Sequence, residues 1–192
     1  MATSSEAEGT ARGRSFDASE HRSAHAVAAL LLGLAFAALG CAGVFGPGGT
    51  GRGAFHLSDV ATGGDPAFRA SMRLVLDGLD ADAAGDPDLA LVRYERSLQV
   101  DATNPYAYLA LSRHRVEGED PRSALPFLDK ARALLRAQGE LSPGVEAHLD
   151  GLRGSAFLES RRQSEALPLL ERARSLDPEA WSDGRLDAEE LR

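Results

Sequence analysis

From about Asp65 onward, the chain repeats one pattern of small and large apolar positions. Each of three segments begins with a small residue, followed by a large apolar residue four positions later and a small residue seven positions later. Residues at this spacing lie on one face of an α-helix. An acid–base pair between the second and third positions would face water. The nine positions are Ala90, Tyr94 and Ser97; Ala124, Leu128 and Ala131; and Ala166, Leu170 and Ala173. The pattern predicts three amphipathic helices with buried small residues.

Aspartate and proline positions delimit further helices. Asp86 and Asp120 are each followed by a proline, which is a common way to begin a helix. Pro126 and Pro168 cannot lie deep in a helix, so their helices must begin only a few residues earlier. The predicted helices lie at about 66–83, 87–101, 105–117, 121–137, 144–160 and 163–176. The sequence therefore predicts an all-α fold of antiparallel helix pairs, and the prolines argue against the alternative of a coiled coil.

The spacing of the three segments resembles that of tetratricopeptide repeats (TPRs). The first and second segments begin 34 residues apart, which is the length of a TPR. The second and third begin 42 residues apart, which indicates an eight-residue insertion at 137–144. Another small residue lies twelve positions before each segment, at Gly78, Ser112 and Gly154. In a TPR, the first helix meets the second at this position. The resemblance implies a TPR-like α-solenoid over 65–180, with a C-terminal cap at 181–192. Its repeats would span about 71–104, 105–138 and 147–180.

The N-terminal region resembles a bacterial lipoprotein signal. Residues 26–45 carry no charged side chain, and arginines precede them, as in a secretory signal. The sequence Ala-Leu-Gly-Cys at 38–41 resembles a lipobox, which implies a signal peptide over 1–40 and a lipid on the Cys41 thiol. Twenty apolar residues are also long enough to span a bilayer, so an uncleaved signal anchor is the alternative. A third interpretation is that Cys41 is simply a small apolar residue.

Glycine dominates the stretch that follows the cysteine. Ordering so many glycines is costly, and few apolar side chains are present to offset it. We therefore expect residues 41–64 to form a flexible tether between the anchor and the helices. Phe55 and Leu57 are its candidates for docking on the first helix.

Composition and motifs favour binding over catalysis. The net charge is −8 and only one lysine is present, so no basic face suited to nucleic acid is expected. One cysteine cannot form an internal disulfide or a cysteine-rich zinc site. The five histidines do not pair at metal-ligand spacing and are expected at the surface. A calcium-like stretch around Asp80 and Asp82 fails because Ala84 cannot ligate. We expect no catalytic residue, no metal site and no cofactor.

The TPR resemblance points to a peptide-binding groove on the first helix of each pair. Its predicted lining is Met72, Val75, Leu79, Tyr106, Leu109, Arg113, Val116, His148, Ser155 and Leu158. The resemblance implies a membrane-anchored adaptor or assembly factor that binds a protein or peptide in the bacterial cell envelope. In a Gram-negative host, Ala42 after the cysteine is not the aspartate that usually retains lipoproteins in the inner membrane, so the outer membrane, facing the periplasm, is favoured. An uncleaved signal anchor would place the protein in the inner membrane instead.

Two alternatives remain for this groove. The tether or a neighbouring repeat would bury several of its residues. In the second alternative, this chain is an accessory subunit of an envelope enzyme. It would then carry a lipid or glycan in a closed cavity lined by Leu79, Leu109 and Leu158.

Overall fold

The computed structural model describes residues 54–192, and this part of the chain is helical, without a β-strand. Its α-helices are α1 (Leu57–Val60), α2 (Pro66–Ala83), α3 (Pro87–Val100), α4 (Pro105–Glu117), α5 (Leu125–Gln138), α6 (Pro143–Glu159), α7 (Gln163–Leu176) and α8 (Ala188–Leu191). The predicted signal peptide and Cys41 lie outside the described residues.

A polar residue followed by proline begins four of these helices. The Asp65 carboxylate accepts a hydrogen bond from the backbone N–H of Phe68 at 2.9 Å. The side chains of Asp86, Asn104 and Ser142 cap α3, α4 and α6 in the same way. The proline that follows each cap has no backbone N–H. In the first turn of a helix this N–H would have no carbonyl partner, so the proline loses no hydrogen bond there. The predicted bounds of α2 and α4 agree with the structure to the residue.

The helix predicted over 121–137 is divided in the structure. Pro121–Ala124 forms a 3-10 turn, and the α-helix begins only at Leu125. Pro126 has no N–H to donate to the fourth preceding carbonyl, but this alone does not divide the helix, because α7 stays a regular α-helix with Pro168 at the same distance from its start. Asp120 also makes no side-chain cap bond. Pro126 therefore lies in the first turn of α5, where a missing N–H costs little.

Consecutive helices pack as pairs, α2 with α3, α4 with α5, and α6 with α7. Two of the pairs meet at a glycine. A Cβ atom added to Gly78 would lie 2.5 Å from the Tyr94 ring, and one added to Gly154 would lie 2.8 Å from the Leu170 side chain. All nine positions of the repeated pattern are buried, which confirms the predicted faces.

The pairs lie side by side, with α4 in contact with both α2 and α6. Asp150 of α6 is buried and forms ion pairs with Arg132 of α5 and Arg172 of α7. A buried carboxylate needs such partners because its removal from water is costly. Asp150 therefore joins α6 to helices on both sides.

Helical structure extends beyond the six long helices at both ends. The N-terminal segment (residues 54–61) belongs to the stretch expected to be a tether, but it contains α1 and a fully buried Leu57. The C-terminal segment (residues 177–192) contains α8 and a fully buried Trp181. These apolar side chains offset the cost of ordering both segments.

Candidate functional site

The ten residues predicted to line a groove lie on α2, α4 and α6, and this surface is termed the inner face. Eight of them are buried: Met72, Val75, Leu79, Tyr106, Leu109, Arg113, Val116 and His148. Ser155 is partly buried, and Leu158 is 37 % exposed. The chain itself covers most of the inner face, so groove binding by these residues stays a prediction.

The C-terminal segment crosses the inner face from α6 to α2. The Trp181 ring lies so close to α6 that a Cβ atom added to Gly151 would approach it to 2.2 Å. Further along, the Leu186 carbonyl accepts a hydrogen bond from Nε of Arg113 on α4 at 3.1 Å. The helix α8 then packs against α2, and Arg192 forms an ion pair with Asp80 of α2. The segment was expected to cap the last repeat, and the structure shows that it extends to the first helix pair.

The N-terminal segment covers the part of the inner face between α4 and α6. The Phe55 ring stacks on Tyr106 with centroids 5.9 Å apart. The Phe55 carbonyl lies 2.9 Å from Nε2 of His148. A Cβ atom added to Gly144 would lie 2.8 Å from the Cβ of Phe55. A glycine in the first turn of α6 therefore leaves the space that Phe55 occupies.

The two terminal segments also meet each other. The backbone N–H of Ser58 donates a hydrogen bond to the carbonyl of Arg192 at 2.8 Å. His148 contacts both segments, since Nε2 faces Phe55 and Nδ1 lies 3.2 Å from the indole nitrogen of Trp181. One buried histidine thus connects the two segments to α6.

The partners of His148 define its protonation state. The indole N–H of Trp181 can only donate and a backbone carbonyl can only accept, so Nδ1 must accept and Nε2 must donate. Only the neutral Nε2–H tautomer satisfies both contacts. Burial lowers the pKa of His148 below its ordinary value, and nearby His56 adds to this, whereas the Phe55 carbonyl and Asp177 oppose it. The folded protein therefore favours the neutral ring.

A second buried polar cluster surrounds Asp82. Its carboxylate accepts hydrogen bonds from the Tyr94 hydroxyl at 2.8 Å and from Arg113 Nη1 at 2.9 Å. His114 Nδ1 lies 2.9 Å from the same carboxylate, and Arg113 also pairs with Glu117. Burial, reinforced by Asp82, raises the pKa of Tyr94, so its hydroxyl stays a donor. Because these groups satisfy one another, the cluster holds α2, α3 and α4 together.

Sequence reasoning missed several of these roles. Histidines were expected at the surface, whereas His148 is fully buried. The calcium-like stretch that contains Asp82 does not predict its buried partners. A usable signal existed, because Asp82 follows Gly78 by one helical turn and so shares its buried face. Gly151, one turn before Gly154, similarly marked a second close contact on α6.

One cleft remains open where α4 and α6 end. Its volume is about 240 Å³, and inner-face residues Arg113, Val116, Ser155 and Leu158 contribute to its lining. Arg185 of the C-terminal segment also lines it. This cleft therefore leaves part of the predicted groove accessible.

A second cleft, of about 410 Å³, lies beside the N-terminal segment and is rich in carboxylates. Asp65 and Asp101 in its lining already cap backbone N–H groups. Glu140 accepts a hydrogen bond from the Tyr106 hydroxyl at 3.0 Å. Three of its carboxylates thus have structural partners within the chain.

No protein-family model matches this chain, and comparison with curated proteins and with solved structures also gives no match. Among residues 54–192, no helix combines the length and apolar character needed to cross a membrane.

Proposed function

We propose that this chain is a membrane-anchored TPR lipoprotein that acts as a protein–protein interaction adaptor or assembly factor in the bacterial cell envelope. The proposal joins the lipobox-like sequence at Cys41 to a TPR-like solenoid of three repeats. It assigns no catalytic residue and no cofactor. The protein would lie at the outer membrane, facing the periplasm, and would bind a protein or peptide.

The observation that carries the proposal is the packing within helix pairs. Ala90, Ala124 and Ala166 are fully buried at the three equivalent positions. Gly78 and Gly154, twelve positions earlier, lie against the second helix of their own pair. In TPRs, small residues at these two positions allow the helices of a pair to approach closely. This agreement supports a TPR-like solenoid.

The remaining cleft favours an adaptor over a lipid or glycan carrier. A carrier would need a closed cavity lined by Leu79, Leu109 and Leu158. The cleft where α4 and α6 end contains Leu158 but neither of the other two, and the cleft of about 410 Å³ beside the N-terminal segment contains none of the three. A cleft of about 240 Å³ suits one or two side chains of a partner protein.

Site-specific photocrosslinking in the native host tests the proposal. A photoreactive residue at Leu158, which is 37 % exposed in the cleft, should capture one envelope protein that mass spectrometry identifies. The matched control is Leu167 on α7, which is 54 % exposed and outside the cleft. The same products at both positions, or none at Leu158, would contradict a specific adaptor surface.

A further inference from the structure

We propose that the N-terminal segment is a resident ligand of the inner face, and that the protein's partner is a peptide with an aromatic residue followed two positions later by leucine. This peptide would take the place of Phe55 and Leu57. The inference rests on the proposed adaptor function and gives its partner a chemical description.

The seat of Phe55 is built by residues of α4 and α6. Tyr106 supplies a ring for stacking, and Gly144 leaves the room that the Cβ of Phe55 fills. His148 donates a hydrogen bond to the Phe55 backbone carbonyl at 2.9 Å. Stacking selects an aromatic side chain. The bond to a main-chain carbonyl does not depend on the side chain, so a different peptide can supply the same acceptor.

The N-terminal segment also defines the spacing of the two side chains that a ligand must supply. Leu57 is fully buried and the Phe55 ring stacks on Tyr106, whereas His56 between the two anchors is, like Phe55, only partly buried. Ser58 and Asp59, which follow, are exposed. An aromatic residue, a variable residue and a leucine therefore describe what the seat requires of a ligand.

Local structure permits this segment to leave without unfolding the helix pairs. The helix α1 is only four residues long and has no side-chain cap bond. Gly63 and Gly64 separate it from α2, and Gly64 has a φ of 69°, in the left-handed region that glycine tolerates. Short elements with few hydrogen bonds open at lower free energy than a packed core. We expect the segment to open independently of α4 and α6.

Competition in trans provides the first test. The probe is a fluorescein-labelled synthetic peptide of residues 54–61, added to the purified full chain in detergent and followed by fluorescence anisotropy. The double variant Phe55→Ala/Leu57→Ala should bind it about tenfold more tightly or better than wild type, because only a vacant seat is competent to bind. The same peptide with alanine at both anchor positions should not bind. Failure of the intact peptide to bind the double variant, with helical circular dichroism preserved, would overturn the proposal.

Hydrogen exchange provides a test that leaves the segment unchanged. Gly144→Ala adds the Cβ atom that would meet Phe55, and should speed amide exchange at Ser58 about tenfold while the amides of α4 keep their protection. Gly118→Ala is the control, because its added Cβ atom would come no closer than 3.5 Å to any neighbour. If Ser58 exchanges only together with α4 in both variants, the segment is a fixed part of the core and the proposal fails.

Three further outcomes bear on this inference, and the last two separate it from the proposed function. A wild-type dimer with exchanged N-terminal segments, detected by light scattering, would make a second copy the occupant and overturn the proposal. Peptide binding in trans without a specific crosslink at Leu158 would support the resident-ligand inference and leave the envelope adaptor unsupported. A specific crosslink at Leu158 without peptide binding would support the envelope adaptor and contradict the resident-ligand inference.

Discussion

Asp82 is a buried carboxylate whose partners come from two other helices. Tyr94 belongs to α3, and Arg113 and His114 belong to α4. Arg113 also reaches the C-terminal segment through the Leu186 carbonyl. Losing one partner would leave a buried charge without compensation, which is more damaging than losing an exposed ion pair. These contacts constrain how the first two helix pairs and the C-terminal segment sit against one another.

The buried ring of His148 predicts that acid destabilises the domain. Its folded-state pKa is lowered, so below about pH 6.5 the unfolded chain takes up a proton that the folded chain resists. Stability is therefore complete above that pH and declines as the pH falls toward the folded pKa, by at most about 1.4 kcal/mol per pH unit. Urea unfolding at about pH 7.5 and about pH 5.5 measures the loss.

Two glutamine variants isolate the contribution of this ring to the pH dependence. His148→Gln keeps a donor and an acceptor but cannot titrate, so its pH dependence should be shallower than that of wild type. His56→Gln removes a neighbouring histidine that lowers the His148 pKa, and should leave most of the dependence in place. Equal pH dependence in His148→Gln and wild type would show that another group is responsible.

The sequence predicts which side chains face inward better than it predicts their partners. Helical spacing alone places Ala90, Tyr94 and Ser97 on one buried face. The contact between Asp82 and Arg113 joins residues 31 positions apart and forms only when α2 and α4 pack together. Such partners depend on tertiary packing, which local pattern does not specify.

Helix bounds were predictable because the signals that define them are local. The Asp-Pro and Asn-Pro pairs that begin α2, α3 and α4 act within one turn of the chain. The start of α5 was placed too early because Asp120 and the proline after it resemble these caps. In the structure Asp120 makes no side-chain cap bond, and Pro121–Ala124 forms a 3-10 turn before the α-helix begins at Leu125.

Two alanines in α5 offer a matched test of helix packing. Ala131 is fully buried, whereas Ala133, two positions later in the same helix, is exposed. Ala131→Leu should lower the free energy of unfolding by about 1–3 kcal/mol or more, because the added atoms must fit into a packed interface. Ala133→Leu should change it by no more than about 0.5 kcal/mol. Equal denaturation midpoints for the two variants would contradict the assigned buried face.

Both terminal segments lie across the inner face, an arrangement that the sequence did not specify. Trp181 and Leu57 are isolated apolar residues in stretches with turn-like composition. The sequence therefore gives only broad expectations for them, the last repeat for the C-terminal segment and the first helix for Leu57. Their docking sites are defined by Gly151, Gly144 and His148 on α6. The groove residues were correctly placed on α2, α4 and α6, but the sequence did not establish that the chain would cover most of them.

Under the proposed lipoprotein function, membrane attachment depends on the chemistry at Cys41. A diacylated cysteine supplies two acyl chains, which is enough for stable residence where one chain would be marginal. Under the lipoprotein hypothesis, Cys41→Ser blocks lipid transfer, eliminates palmitate labelling and leaves the precursor uncleaved. Wild type should then be about forty residues shorter than this variant and begin at Cys41.

An uncleaved apolar anchor would hold the protein just as firmly, so membrane fractionation does not separate the two hypotheses. Serine is tolerated near the end of an apolar helix, so under the anchor hypothesis Cys41→Ser changes almost nothing. The decisive measurement is the intact mass of wild-type protein extracted from membranes. A mass equal to the sequence from Cys41 onward plus its lipid supports the lipoprotein, whereas an unmodified chain that retains residues 1–40 contradicts it.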